Sequence, residues 1–470
     1  MPRSITRLAS FAFLLFVFFA SPLATQQPHY AQLERISELE RVVVAELEET
    51  KTPGAVVAIV QGDTIVYQKG FGVSNIETGQ MVAPDMLFRI GSMTKMYTAA
   101  ALVSLAEEGK IDLNVPIGKY LEGLPPRLAS VTAHQLMSHT AGLADGGTLL
   151  GKHDESALTE EVRAYKDSMF FADPGAVFSY ANPGFVLAGY LVERLSGESY
   201  SKAVQKRVLD PLKMTRSTFQ PTVAMTYPFS VGHAGTWGEV ARVLRPMEDN
   251  TQLWPAGFLF SNGHDLARFA IAFMNNGQID GKQALSAKLV ERLTAPNAPV
   301  PSQYEGTFYG YGLMTRDYRG VRLVEHGGTM SGFASDFIMA PSQHIAVIIL
   351  ANRTVHMMKT EEKALEVMLK LGPKPPEPKP LKFTEHELEE YAGRYAQDPN
   401  ARSPLELVRA SDGLALKQGG AQYPLTKIEQ DIFTVRLPGF SVPLRMKILR
   451  GTDGRITYLH NRLRVLKRLP

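Results

Sequence analysis

Cysteine is absent from all 470 residues. Its absence excludes disulfide bonds, a lipid-modified N-terminal cysteine and every thiol mechanism. The eleven histidines include no His-x-x-x-His pair, and His134 and His139, five apart, do not share a helical face; no metal centre is expected. Gly-x-Ser-x-Gly is missing, which argues against an α/β-hydrolase, and the glycines form no dinucleotide or phosphate loop, so no cofactor is expected. Neither charge dominates. Lys plus Arg number 50 against 47 for Asp plus Glu, a net of +3 of which Arg3 and Arg7 supply two. With no basic block, nucleic acid is not an expected partner. No internal repeat is found.

The apolar run at 8–20 falls short of the roughly 18 residues of a membrane span. It follows a basic start, and the two read as a secretory signal over 1–24, with cleavage after Ala24. Pro22 is awkward for a small-x-small site, so an uncleaved anchor is the alternative. The expected location is a bacterial periplasm or exterior, with no stable membrane span in the mature chain. Hydrophobic content of 44% and charged content of 21% describe a globular chain able to bury a large core. Its length leaves room for two to three domains of roughly 150 residues.

The chemistry centres on Phe88-Arg89-Ile90-Gly91-Ser92-Met93-Thr94-Lys95, followed by an Ala/Leu-rich run. This reads as the start of a buried helix at Gly91-Ser92. Residues three apart share a helical face, which puts the Ser92 hydroxyl beside the Lys95 amine. A serine hydroxyl attacks poorly until a base takes its proton. Lysine, with a reference pKa near 10.4, becomes that base only when burial and neighbouring positive charge pull it down. Spacing alone is weak evidence, since Ser199-Tyr200-Ser201-Lys202 repeats it. That second copy has no companions and reads as a helix start. The first is followed by Tyr180-Ala181-Asn182 and by His326-Gly327-Gly328 after an apolar strand.

In this order, Ser-x-x-Lys, Tyr-x-Asn and His-x-Gly resemble the serine β-lactamase and penicillin-binding-protein superfamily, which carries the related Ser-Asp-Asn and Lys-Thr-Gly elements. The departures at the second and third elements resemble the class C branch (peptidase S12 type) with its esterase and D-aminopeptidase relatives. The stretch 136–143 is similar to a family signature at the edge of the site. The resemblance covers roughly residues 30–370, a domain-sized span.

Strand patterns lie at both ends of that span and helical patterns between them. The expected fold is α+β: one mostly antiparallel sheet flanked by helices, with a helical insert. The resemblance implies the same β-lactamase/transpeptidase-like fold for residues 25–372. The Pro-rich stretch 373–380 reads as a stiff linker. Beyond it, Thr384-x-x-Glu387 resembles a capping box. Short alternating strands with Asp412-Gly413 and Asp453-Gly454 turns then predict a small all-β barrel over 381–470. Its opening, Tyr391-Ala392-Gly393-Arg394-Tyr395, resembles the lipocalin-like domain that follows many of these hydrolases.

The resemblance also implies roles. Ser92 forms an acyl-enzyme and Lys95 shares its proton. Tyr180 relays a proton to the leaving group, together with Lys95 because a phenol pKa near 10 is too high alone. Asn182 holds Lys95 and the substrate amide. His326 hydrogen-bonds Tyr180 or a substrate carboxylate, and Gly327 and Gly328 let substrate approach the strand. The backbone N–H groups of Ser92 and Thr329 form the oxyanion hole. Each side chain has an ordinary alternative: Ser92 as an N-cap, Lys95 on a helix surface, Tyr180 in the core with a satisfied hydroxyl, Asn182 in a turn, His326 at a strand end. Esters, D-amino-acid peptides and β-lactams all suit this acyl transfer. A neutral histidine in place of a fixed lysine charge at 326 favours the first two. A non-turnover penicillin-binding sensor or scaffold, and a barrel whose lipophilic ligand is the main function, are the other classes of reading.

Overall fold

The computed structural model describes residue 1 and residues 27–470, apart from 236–237, 303–305, 412, 419, 438–439 and 441. The leader expected over 1–24, Met1 aside, lies outside the described residues, as does Asp412 of the expected turn.

A nine-stranded antiparallel sheet forms the frame. Its strands are β1 (Gly54–Gln61), β2 (Thr64–Asn75), β3 (Gln80–Met81), β4 (Ala298–Pro299), β5 (Phe308–Tyr309), β6 (Met314–Tyr318), β7 (Val321–Met330), β8 (Phe333–Ala340) and β9 (Ile345–Ala351). They run in the order β4-β5-β6-β7-β8-β9-β1-β2-β3, so the two ends of the chain segment meet at the β9–β1 pair. That junction explains the continuous apolar runs in β1 and β9. Both strands are covered on both faces, so alternation is lost.

One face packs beneath α1 (Gln27–Thr50) and α5 (Met358–Met368), where Leu39, Val43 and Leu365 meet Val57, Ile59 and Val347. The other face packs on the insert between β3 and β4, which contains α2 (Thr94–Glu107), α3 (Asn182–Ser196) and α4 (Gly263–Met274). Helix α2 is buried on nearly all sides, as its uniformly apolar sequence requires. Helix α1 ends at Thr50, and Gly54 already opens β1. A Cβ at Gly54 would come within 2.6 Å of Val73 O, so the glycine serves close strand packing there.

Residues 373–380 are exposed and irregular. The short helix α6 (Glu385–Tyr391) then starts on Thr384 and Glu387, which form the expected capping box. Eight strands close into a barrel: β10 (Gly393–Ala396), β11 (Leu405–Ala410), β12 (Gly413–Gln418), β13 (Ala421–Glu429), β14 (Ile432–Val435), β15 (Leu444–Arg450), β16 (Ile456–Asn461) and β17 (Arg464–Arg468). Closure of β17 onto β10 removes the exposed edges. Leu407, Leu416, Phe433, Met446 and Leu459 pack together in the barrel's own core.

Candidate active site

Ser92 does not start the α-helix. It sits in a 3-10 turn, Gly91–Met93, that leads into α2, and neither the turn nor the helix is capped by a side chain. The N-cap role for Ser92 is therefore unfilled, and its hydroxyl is available for chemistry. The turn is pressed against the end of β7. Gly91 has φ +52°, and a Cβ there would lie 2.7 Å from Thr329 N. The backbone segments of Ser92 and Thr329 are thus neighbours. A Cβ on Gly328 would come 1.9 Å from Ile90 O, so the protein's own turn requires glycine there. Gly327 meets nothing closer than 3.4 Å.

Lys95 is fully buried. Its Nζ lies 3.1 Å from Ser92 Oγ, 2.8 Å from Asn182 Oδ1 and 2.5 Å from Ala256 O. Burial pushes its pKa down to about 7; Asp145 opposes the shift and Arg464 adds to it. The geometry suits a neutral amine. Two of the three partners only accept, so they use its two N–H groups and leave the lone pair facing the Ser92 hydroxyl. Asn182 is the first residue of α3, followed by Pro183, so its side chain is fixed to a rigid element.

Tyr180 is buried, its ring centre 4.8 Å from Lys95 Nζ. Burial raises the phenol pKa, and the neighbouring Ser92 hydroxyl and Arg464 offset part of the rise. Its hydroxyl makes no hydrogen bond of regular geometry, unlike that of a satisfied core tyrosine.

His326 departs from the expected role. It is 5% exposed and does not bond Tyr180. Its Nδ1 donates to Gly327 O at 2.6 Å, and its Nε2 accepts from Tyr309 Oη at 3.0 Å. Burial, reinforced by Lys95, lowers its pKa to about 3. Both ring nitrogens are engaged within the protein, so the structure leaves His326 no bond to Tyr180.

Two contributors were missed. His139, with φ +57°, stacks on Tyr180 with ring centres 4.1 Å apart, and its Nδ1 accepts from Ala181 N at 3.1 Å. Burial pushes its pKa well below the usual imidazole range, and Lys95 adds to the shift. The family-like stretch 136–143 contains this residue, and that was the signal. The second contributor is the hairpin between β16 and β17. Tyr180 N donates to Leu463 O at 2.8 Å, and Leu463 packs beside Tyr180 and Tyr309. Arg464 pairs with Asp145 at 2.5 Å, its guanidinium 5.5 Å from the Tyr180 ring centre. Asp145 in turn accepts from Asn182 N at 2.8 Å. Val465 N and Gln397 Nε2 both donate to Ser179 Oγ at 3.1 Å. No local sequence signal marks this hairpin. The second Ser-x-x-Lys carries no such constellation, because Lys202 is exposed.

A Ser-Lys-Tyr cluster drawn from the turn before α2, the start of α2 and the loop before α3, at the edge of an antiparallel sheet, is the arrangement of the β-lactamase/transpeptidase-like serine hydrolase superfamily. The Beta-lactamase family profile matches residues 39–370, and the chain belongs to that family. Among curated relatives, Protein flp of Staphylococcus aureus (strain N315) is 25% identical over 324 residues, 67% of this chain and 62% of that protein. The chain therefore spans less than two thirds of that relative's length. Penicillin-binding protein 4 of Amycolatopsis lactamdurans is 29% identical over 65% of this chain and 82% of its own. The octameric penicillin-binding protein homologue from Pyrococcus abyssi matches with a TM-score of 0.65 and 25% identity, over 92% of this chain and 99% of its own. SurE matches with a TM-score of 0.71 and 23% identity, over 94% of this chain and all of its own.

Proposed function

We propose that the protein is an exported serine hydrolase that works through an acyl-enzyme on esters or D-amino-acid-containing peptides. The observation that carries the reading is the buried Lys95 Nζ 3.1 Å from Ser92 Oγ, its pKa pushed down to about 7 by burial. In the proposed sequence Lys95 takes the Ser92 proton as Oγ attacks the substrate carbonyl. The N–H groups of Ser92 and Thr329 hold the oxyanion. Tyr180, its hydroxyl without a regular partner, passes its proton to the departing oxygen or nitrogen, and Lys95 returns one to Tyr180. Water then releases the acyl group by the reverse path.

Substrate choice rests on two supports. The absence of a fixed cation at His326 disfavours β-lactams. A related structure contains D-Leu and another is described as a D-alanine carboxypeptidase. Export rests on the leader over 1–24. The division into a hydrolase over 25–372 and a lipocalin-like barrel over 381–470 is likewise proposed.

The test is a fluorophosphonate probe with mass mapping, beside turnover of a short-chain nitrophenyl ester. Label is expected on Ser92 in the wild type and in Ser199→Ala. Ser92→Ala is expected to stay folded, since its hydroxyl caps nothing, and to lose turnover by several orders of magnitude. Near wild-type turnover in a folded Ser92→Ala protein refutes the mechanism. Label without turnover would favour a penicillin-binding sensor.

A further inference from the structure

A small cavity in the helical insert borders the catalytic cluster on the side of Asn182. Its volume is about 170 Å³, room for one small group and not for a whole substrate. Asp145, Glu161, Tyr165, Met169 and Pro183 are among its walls. Two of these residues join it to the site. Pro183 follows Asn182 in α3, and Asp145 accepts from Asn182 N at 2.8 Å. Asn182 Oδ1 in turn accepts from Lys95 Nζ, which lies 3.1 Å from Ser92 Oγ.

Two polar groups in the wall lack partners. Glu161 lies on the short helix Ala157–Ala164, and Tyr165 directly follows that helix. Burial raises the Glu161 pKa, and no cation offsets the shift. Tyr165 is 6% exposed and close enough to feel the Glu161 charge. Among the described residues neither the Glu161 carboxylate nor the Tyr165 hydroxyl makes a hydrogen bond or an ion pair. A buried tyrosine hydroxyl ordinarily has a partner, and a half-buried carboxylate without one is costly to ionise. Arg464 already pairs with Asp145, so Glu161 supplies the uncompensated charge. An anion in the cavity would meet two carboxylates, and an apolar group would leave Glu161 and Tyr165 unpaired. A guanidinium or alkylammonium offers several N–H donors and no acceptor, which suits a carboxylate and a phenol oxygen together. Met169 and Pro183 give its methylenes an apolar wall.

We propose that this cavity binds a guanidinium or ammonium group at the end of the substrate's acyl portion, so that the enzyme selects acyl groups with a basic side chain. The proposal rests on the acyl-transfer reading above. In that reading Tyr180 serves the leaving group, which leaves the Asn182 flank, and the cavity behind it, to the acyl portion. Glu161 is the specificity-determining charge and Tyr165 a second contact.

The test compares kcat/KM at pH 8 for nitrophenyl esters of 4-guanidinobutanoate and 6-guanidinohexanoate with those of the matching ureido acids. Guanidine and urea share a shape and differ in charge, so each ratio cancels effects on Ser92 and Lys95 common to both esters. A preference of about tenfold for the guanidino ester is expected at the better-fitting length, as for a hydrogen bond between charged groups. The ratio is expected to fall to near one in Glu161→Gln, to recover in part in Glu161→Asp, and to drop roughly threefold in Tyr165→Phe. Melting temperatures establish that each variant is folded. A ratio near one at both lengths in the wild type overturns the proposal, whether or not the variants fold. So does a ratio that is unchanged in folded Glu161→Gln. Probe labelling of wild-type Ser92 is run in parallel. No label overturns the acyl-transfer reading and the cation site with it; label with a ratio near one overturns the cation site alone.

Discussion

Arg464→Gln offers a quantitative test of the barrel's part in catalysis. Arg464 and Lys95 lie 5.5 Å and 4.8 Å from the centre of the same Tyr180 ring, so they are at most about 10 Å apart. Two unit charges at that distance repel by roughly 1.7 kcal/mol at an effective dielectric constant of about 20. That corresponds to roughly 1.2 pH units. Removing Arg464 also unpairs Asp145, whose charge favours protonated Lys95, so both effects raise the lysine pKa from about 7 towards roughly 8. The active base is the neutral amine. The acid limb of kcat against pH is therefore expected to move up by about one unit. At pH 7 the rate is expected to fall roughly fivefold, and near pH 9.5 to approach the wild type. The double variant Asp145→Asn/Arg464→Gln removes both charges and is expected to bring the limb most of the way back. The assay is ester turnover across pH 5.5–9.5, with melting temperatures recorded for each variant. A limb that stays in place or moves down in a folded Arg464→Gln protein refutes the assignment of Lys95 as the base tuned from the barrel.

Lys95→Ala and Tyr180→Phe are each expected to slow acylation strongly, and the double variant to lose far less than the sum, because both serve one proton path; strictly additive losses in single-turnover kinetics would assign them to separate steps. Wild-type nitrocefin turnover is expected to be weak beside that of a short-chain nitrophenyl ester, and fast nitrocefin hydrolysis would refute the substrate reading. His326→Lys would bury an ammonium between Tyr309 and Gly327 O and is expected to cost about 3 kcal/mol or more, seen as a lowered denaturation midpoint; an unchanged midpoint would mean the side chain at 326 faces solvent. The proposed fragment 25–372 lacks Leu463 and Arg464 and is expected to label with the probe at least roughly tenfold more slowly than the full chain; labelling at the full-length rate would show that the hairpin does not shape the site.

Features set by neighbours in sequence were legible without coordinates. The Ser92–Lys95 contact follows from a three-residue spacing on one helical turn, and the hydroxyl and amine do meet, at 3.1 Å. The capping box at Thr384 and the strands of the barrel are equally local, encoded in a helix start and in alternation. What tertiary structure decided is the chemistry of those residues. Lys95, the proposed base, lies buried against Asn182 and Ala256, 87 and 161 residues away, which accept from its amine. The sequence suggested a strand end at His326, whereas the strand runs on to Met330, and only packing turned the ring onto Tyr309 and away from Tyr180. Arg464 reaches Asp145 across 319 residues, and Asp145, Glu161 and Pro183 meet around one cavity from separate elements. Hydrogen bonds and charges act through space over a few ångströms, whereas periodicity and turn chemistry report only on the chain within a few residues. The proposed nucleophile was therefore visible in the sequence, and the surroundings around it became visible only when the chain was folded.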